Sequence, residues 1–240
     1  MAEAQLFFRV GVPFERSWMP RLTANAPEMA VVDLREVVEL RAIDAHGHEG
    51  DEHGHDHSHD PEEHEEHGDG QAGGGVDPEG ADPHIWTSPR NAVALVERIR
   101  AALTAADPQG AEAYSANAVA YTERLQALDG RIAERLAPFE GRSFAVFHPS
   151  WGYFAVRYGL MQRAIEVEGK EPGPAGLSDL IGELREMGVR VVFVQDQFSQ
   201  RSARTVAEAI GGVVVGIDPL AEDYIDNMER VSRRMAEALE

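Results

Sequence analysis

Histidine is concentrated in one short stretch of this sequence. The stretch reads HGHEGDEHGHDHSHDPEEHEEH and holds eight of the ten histidines in the chain. Neutral imidazole is a ligand that suits zinc, copper and nickel, and the neighbouring carboxylates attract cations and accept imidazole protons. The pattern therefore indicates metal capture rather than a plain acidic linker. These histidines are His46, His48, His53, His55, His57, His59, His64 and His67.

Two more histidines and one aspartate adjoin apolar segments. His84 precedes an Ile-Trp pair, His148 directly follows the apolar run 144–147, and Asp218 directly follows the run 213–217. Because ligands gather at the carboxyl ends of parallel strands, we expect His148 and Asp218 at the same edge of one sheet. Taken alone, each of the three is more often a packed, capping or turn residue. Beside a histidine-rich segment they become candidate metal ligands.

The sequence supports an enzyme less well than a binding protein. A zincin helix needs two histidines four residues apart, whereas His64 and His67 are three apart in a segment that is not expected to be helical. A zinc hydrolase would also need a general base. Glu166, Glu168 and Glu171 are the nearest candidates, but glutamates near a turn are usually solvated. A second alternative is a metal buffer, in which the histidine-rich segment is the main site.

Composition limits the ligands and partners. The chain has 42 acidic and 22 basic residues and a net charge of -20, so nucleic acid and anionic membranes would be repelled. It has no cysteine, so a metal must be bound by imidazole and carboxylate. No apolar run is long enough to span a bilayer, and the first residues lack the pattern of a signal peptide.

The elements that must position these residues alternate between strands and helices. Strands at 4–10 and 30–34 flank an amphipathic stretch at 14–24 with Trp18, Met19 and Leu22 on one face. Residues 46–81 have too few apolar side chains to order themselves, which predicts a mobile loop. Ser88 and Pro89 then predict a helix start, and a second, longer helix covers about 109–136.

The last hundred residues predict a parallel α/β sheet. Apolar runs of strand length alternate there with amphipathic stretches of helical length. The expected strands are 144–147, 164–167, 189–194 and 213–217, and the expected helices are 152–158, 177–187, 202–210 and a last one ending at 239.

Five motifs in a fixed order make the sequence specific as a set. DPHIW precedes the long helix, FHPSWGYFAVRYGL follows it, and IEVEGKEP, FVQDQFS and IDPL come later. The set resembles the zinc-binding periplasmic substrate-binding proteins of ABC-type metal importers, the cluster A-I family, over essentially the whole chain. The resemblance implies two α/β lobes joined by a long rigid helix, with the N-terminal lobe incomplete here. The implied parts are 1–88 with the loop 46–81, the helical segment 89–140 and the C-terminal lobe 141–240.

The resemblance also implies a site and a partner. His84 and His148 would be imidazole ligands and Asp218 a carboxylate ligand of Zn(II) in a cleft between the lobes, with the loop histidines as auxiliary ligands. Manganese-binding relatives tend to have glutamate at the position of His148, so histidine there implies zinc. We expect a monomer in the periplasm or at the cell surface that delivers zinc to the membrane subunit of an ABC importer. Either a longer precursor carries an export leader and one more histidine ligand, or the chain is a short form with a three-ligand site, and we favour the first.

Overall fold

The structure is a computed structural model that describes residues 4–43, 76–78, 80–166, 169–195 and 200–240. It has an α/β fold with two separate parallel sheets, one of two strands and one of four, among the described residues. None of the helices within these ranges is both long enough and apolar enough to cross a membrane. The eight histidines of the predicted loop lie outside the described residues.

The smaller sheet is formed by the first part of the chain. Strand β1 (Leu6–Arg9) leads into helix α1 (Pro13–Asn25), which returns the chain to strand β2 (Ala30–Asp33), parallel to β1. The apolar side chains of both strands pack into a cluster with Ile85 and Leu95. The predicted strands and helix are confirmed here. Trp18, however, is 54% exposed, so the apolar side of α1 is not fully covered by the described residues.

The two ends of the segment between residues 43 and 81 lie next to each other. Ala42 and Ala81 form an isolated antiparallel bridge, and the backbone N–H of Asp82 donates to the carbonyl oxygen of Arg41 at 2.8 Å. This pairing places Asp82 and His84 directly after the bridge.

Two helices connect the sheets. Helix α2 (Pro89–Ala106) begins as predicted, because the hydroxyl of Ser88 accepts from the backbone N–H of Asn91. Helix α3 (Ala111–Leu136) has 26 residues and is therefore about 39 Å long. Its C-terminal half is fully buried at Leu125, Leu128, Ile132 and Leu136. Val119, by contrast, is 57% exposed, so the buried face does not extend along the whole helix.

The four-stranded sheet has the strand order β4-β3-β5-β6, and all four strands are parallel. The chain runs from β3 outward to β4 and then crosses back to β5, so the order reverses between β3 and β5. Ligands bind at such a reversal, outside the carboxyl ends of the strands. The elements are β3 (Ser143–Val146), α4 (Gly152–Arg157), β4 (Met161–Ala164), α5 (Pro174–Glu186), β5 (Val191–Val194), α6 (Gln200–Ile210), β6 (Val213–Gly216) and α7 (Tyr224–Leu239).

Both faces of this sheet are covered. Phe144 and Val146 of β3 face a core built with α3, α4 and α7, while Ala145 and Phe147 face a core built with α5 and α6. A strand buried on both faces is a continuous apolar run, which is why β3 and β5 were predictable. The predicted strand 164–167 is wrong in position, since β4 ends at Ala164.

Candidate metal centre

His84 is held by a short turn anchored in the N-terminal core. It precedes the 3-10 turn Ile85–Thr87, in which Ile85 is fully buried. The carboxylate of Asp82, also fully buried, accepts from the backbone N–H of His84 at 3.0 Å and lies 2.7 Å from its ring Nδ1. The ring of His84 therefore has a fixed orientation, with Nε2 pointing away from Asp82.

His148 is held by the four-stranded sheet in the same manner. It lies two residues after β3, and Glu166 lies two residues after β4. The register of these strands pairs Val146 with Ala164, so the two positions are neighbours. The Glu166 carboxylate hydrogen-bonds Nδ1 of His148. Glu166, predicted to be solvated, is only 3% exposed, because the residues beyond both strands stay in contact and cover it.

The two imidazoles meet between the small and the large sheet. Nε2 of His148 lies 3.3 Å from Nε2 of His84, and the ring planes are 77° apart. An ionised carboxylate can only accept, so a neutral ring that is hydrogen-bonded to it through Nδ1 carries its proton on Nδ1 and presents the lone pair of Nε2. Two nitrogen ligands of a tetrahedral zinc ion, each 2.0–2.1 Å from the metal, are themselves about 3.3 Å apart. The observed separation therefore fits one edge of such a site.

Asp218 lies in the loop between β6 and α7. Its Oδ1 accepts from the backbone N–H of Leu220 at 2.9 Å, and its backbone carbonyl accepts from Nδ2 of Asn227 at 2.6 Å. Within the described ranges, no three histidine, aspartate or glutamate side chains are grouped closely enough to hold a metal ion. The structure thus brings His84 and His148 together but does not add Asp218 to that pair.

The buried Asp82 is supported by residues from both parts of the chain. Nη1 of Arg41 lies 3.7 Å from Oδ2 of Asp82. The hydroxyl of Tyr153 donates to the Asp82 backbone carbonyl at 2.9 Å, and burial raises the pKa of Tyr153 to about 12, which keeps the hydroxyl protonated. A Cβ on Gly152 would lie 1.8 Å from Nη1 of Arg41 and 2.9 Å from Oδ2 of Asp82, so a larger residue there would displace the Arg41 guanidinium. Asp82 is thus fixed before any metal arrives.

Comparison with known proteins identifies the family of this chain. The family described as "Zinc-uptake complex component A periplasmic" matches residues 1–238. The chain belongs to this family. It is 35% identical over 161 residues to the zinc-binding lipoprotein AdcA of Streptococcus pneumoniae serotype 4, and 31% identical over 163 residues to the high-affinity zinc uptake system protein ZnuA of Brucella abortus. The alignments cover 62% and 66% of this chain.

The zinc-uptake family also accounts for the fold. A crystal structure of ZnuA superposes with a TM-score of 0.80 at 31% identity and covers 100% of this chain and 81% of the ZnuA chain. The predicted α/β fold is confirmed by this match. The chain spans a smaller share of its curated relatives, 32% of the AdcA protein and 49% of the Brucella protein.

Proposed function

We propose that this chain captures Zn(II) outside the cytoplasm, in a cleft between its two sheets, and passes the ion to the membrane subunit of an ABC importer. The observation that carries the proposal is the pair of Nε2 atoms 3.3 Å apart, each opposite an Nδ1 bonded to a buried carboxylate. With both ring protons on Nδ1, the two Nε2 lone pairs face each other and repel, and a cation between them removes that repulsion.

The nature of the two ligands favours zinc. Zinc binds imidazole nitrogen more readily than manganese does. Manganese is bound more often by carboxylate and water oxygens. The membership in a zinc-uptake family supports the same ion. The curated relatives in Streptococcus pneumoniae and Brucella abortus are named for zinc binding and zinc uptake.

Asp218 is the proposed third ligand. It lies two residues after β6, as His148 lies two residues after β3, and only β5 separates the two strands. Two spacings of 4.7–4.9 Å put the ends of these strands about 10 Å apart. An imidazole and a carboxylate that point toward each other can bridge that separation around one ion. The fourth position would be taken by water or by a histidine of the segment 46–67.

The histidine-rich segment 46–67 is proposed as an auxiliary collector of zinc. The Ala42–Ala81 bridge supports this role, because it pairs two residues that flank this part of the chain, and Ala81 lies three residues before His84. The protein makes and breaks no covalent bond in this account, so it is a binding protein rather than an enzyme. Its proposed location is the periplasm or the cell surface, and its proposed state is a monomer.

The test is a calorimetric zinc titration with manganese as competitor. We expect one tight, manganese-resistant site in the wild-type chain, lost in both His84→Ala and His148→Ala. Deletion of residues 46–70 is expected to leave this site and remove only weaker ones. Trp18→Phe, on the exposed face of α1, is the control that should bind zinc like the wild type.

The opposite pattern would reject the cleft. If both histidine variants bind zinc like the wild type while the deletion removes nearly all binding, the histidine-rich segment is the site. The chain would then be a zinc buffer and not the capture protein proposed here.

A further inference from the structure

Trp86 lies where two loops with proposed zinc ligands meet. Its indole Nε1 donates to the backbone carbonyl of Pro219 at 2.9 Å, across 133 positions of sequence. Pro219 directly follows Asp218, and Trp86 lies two residues after His84. One hydrogen bond therefore joins the turn that carries one proposed ligand to the loop that carries another.

A second hydrogen bond makes the same connection from helix α7. The hydroxyl of Tyr224, the first residue of α7, donates to the backbone carbonyl of Trp86 at 2.9 Å. Burial raises the pKa of Tyr224 far above its usual value, so this hydroxyl keeps its proton and remains a donor. Asn227, three residues further along α7, holds the backbone carbonyl of Asp218. Helix α7 thus contacts both loops at once.

The indole of Trp86 is fixed from the other side. It packs against the N-terminal core, next to the fully buried Ile85, and its ring lies 5.5 Å from the ring of His84. The position of Trp86 is therefore set by the same small sheet and helices that set His84. The Asp218 loop follows strand β6 of the large sheet. Its contact with the His84 turn is made by the indole of Trp86.

We infer that Trp86 is a positioning residue for zinc capture, holding the Asp218 loop against the His84 turn so that carboxylate and imidazoles meet on one ion. The inference rests on the proposed function, because it takes Asp218 as a ligand. It gives a role to the hydrogen bond between the Trp86 indole N–H and the Pro219 carbonyl, which links the two parts of the molecule. Phenylalanine would keep an aromatic ring at this position without joining the loops.

The test is a double-mutant cycle on the full chain, with zinc as titrant and a chelator as competitor. Trp86→Phe removes the N–H and keeps an aromatic ring. We expect it to weaken zinc binding about 10-fold, as loss of an outer partner of a metal ligand does. In an Asp218→Ala background it should cause no further loss, since the group that Trp86 positions is gone. Trp18→Phe is the matched control, with unchanged affinity.

A purely structural role would give a different result. Equal losses from Trp86→Phe in both backgrounds would overturn the inference, because Trp86 would then act through the fold or through His84. An unchanged affinity in both would overturn it as well. Tyr224→Phe, which removes one hydroxyl, gives the same cycle if circular dichroism shows that Trp86→Phe folds poorly.

His148→Ala, titrated in parallel, separates the two possible failures. If His148→Ala loses zinc binding and Trp86→Phe does not, the proposed function stands and the role of Trp86 is rejected. If neither variant changes the affinity, both are rejected.

Discussion

Two buried carboxylates determine which atoms of the histidine pair would face the proposed zinc ion. Asp82 and Glu166 each hold Nδ1 of one ring, and this turns Nε2 of both rings toward the proposed site. An outer partner of this kind fixes the tautomer and increases the basicity of the ligand. The histidines alone would bind in more than one orientation, so the carboxylates are part of the site.

Replacing either carboxylate by its amide should weaken zinc binding by about 10- to 100-fold. In Glu166→Gln and Asp82→Asn the amide can donate as well as accept, so it no longer fixes the tautomer of His148 or His84. Calorimetry measures the affinity, and nitrogen NMR of the metal-free protein reports the ring tautomer directly. Both rings should carry the proton on Nδ1 in the wild type and a mixture of tautomers in the matching variant.

Glu97→Gln is the control for this pair. Glu97 is exposed on α2 and contacts Arg100 of the same helix, so its amide variant should keep wild-type affinity and wild-type histidine tautomers. Amide variants of Asp82 and Glu166 that bind zinc like the wild type would show that the carboxylates only fill space.

Motifs were enough to select the histidines but not the carboxylates. His84 and His148 stand in DPHIW and FHPSW, and the structure brings them together. Asp82 and Glu166 have sequence neighbours that fit a solvated turn equally well, because burial depends on partners far along the chain. Both carboxylates stand inside the quoted motifs, Asp82 in DPHIW and Glu166 in IEVEGKEP, but only the strand register places Glu166 beside His148, once 143–146 is paired with 161–164. Sequence alone does not supply that register.

Helices α3 and α7 are joined by a charged contact near the C-terminal end of α3. Nε of Arg131 lies 3.3 Å from Glu229, and the guanidinium of Arg135 hydrogen-bonds the same carboxylate. Burial alone would raise the pKa of Glu229, but the hydrogen bond from Arg135 and the charges of both arginines outweigh it and lower the pKa. Helices α3 and α7 both pack into the core on one face of the large sheet, so this contact helps to hold that core together. Helix α7 also supports the Asp218 loop.

Glu229→Gln should lower the free energy of unfolding by about 1 kcal/mol at neutral pH, a figure suited to a partly exposed pair. A carboxyl whose pKa is lower in the folded state than its ordinary value of 4.5 stabilises the fold above that value. The stabilisation is lost as the pH falls through the lowered folded value. Urea unfolding at a series of pH values measures this difference, which should shrink below about pH 4.5.

Glu97→Gln is again the matched control, since its ion pair lies within one exposed helix turn. It should lose much less stability than Glu229→Gln at neutral pH. A Glu229 variant whose loss of stability does not depend on pH would contradict the role of its charge.

Elements with one dominant pattern could be predicted, and elements with mixed patterns could not. Strands β3 and β5 are continuous apolar runs buried on both faces, and both were predicted close to their observed ranges. Strand β4 was displaced, because Gln162 and Arg163 lie inside it and the apolar Ile165 lies beyond it. Gln162 is buried because its side chain accepts from the backbone N–H of Trp151, a contact that hydrophobicity does not indicate.

At the scale of the whole molecule, each of the two sheets positions one histidine. The small sheet and its core position His84, the large sheet positions His148, and helices α2 and α3 fix the distance between them. The two-lobe arrangement was predictable from the family resemblance rather than from periodicity. The division into 1–88, 89–140 and 141–240 stays a prediction. Tyr153, which follows the last boundary, packs into the N-terminal core through contacts that span more than a hundred residues.

The most direct test of the account is an anomalous diffraction map from a zinc-loaded crystal, recorded at the zinc absorption edge. We expect one strong peak between the two sheets, about 2.0–2.1 Å from Nε2 of both His84 and His148, with the carboxylate of Asp218 as the third ligand. A peak that lies only among the histidines of residues 46–67, with the His84 and His148 rings free of metal, would contradict the account.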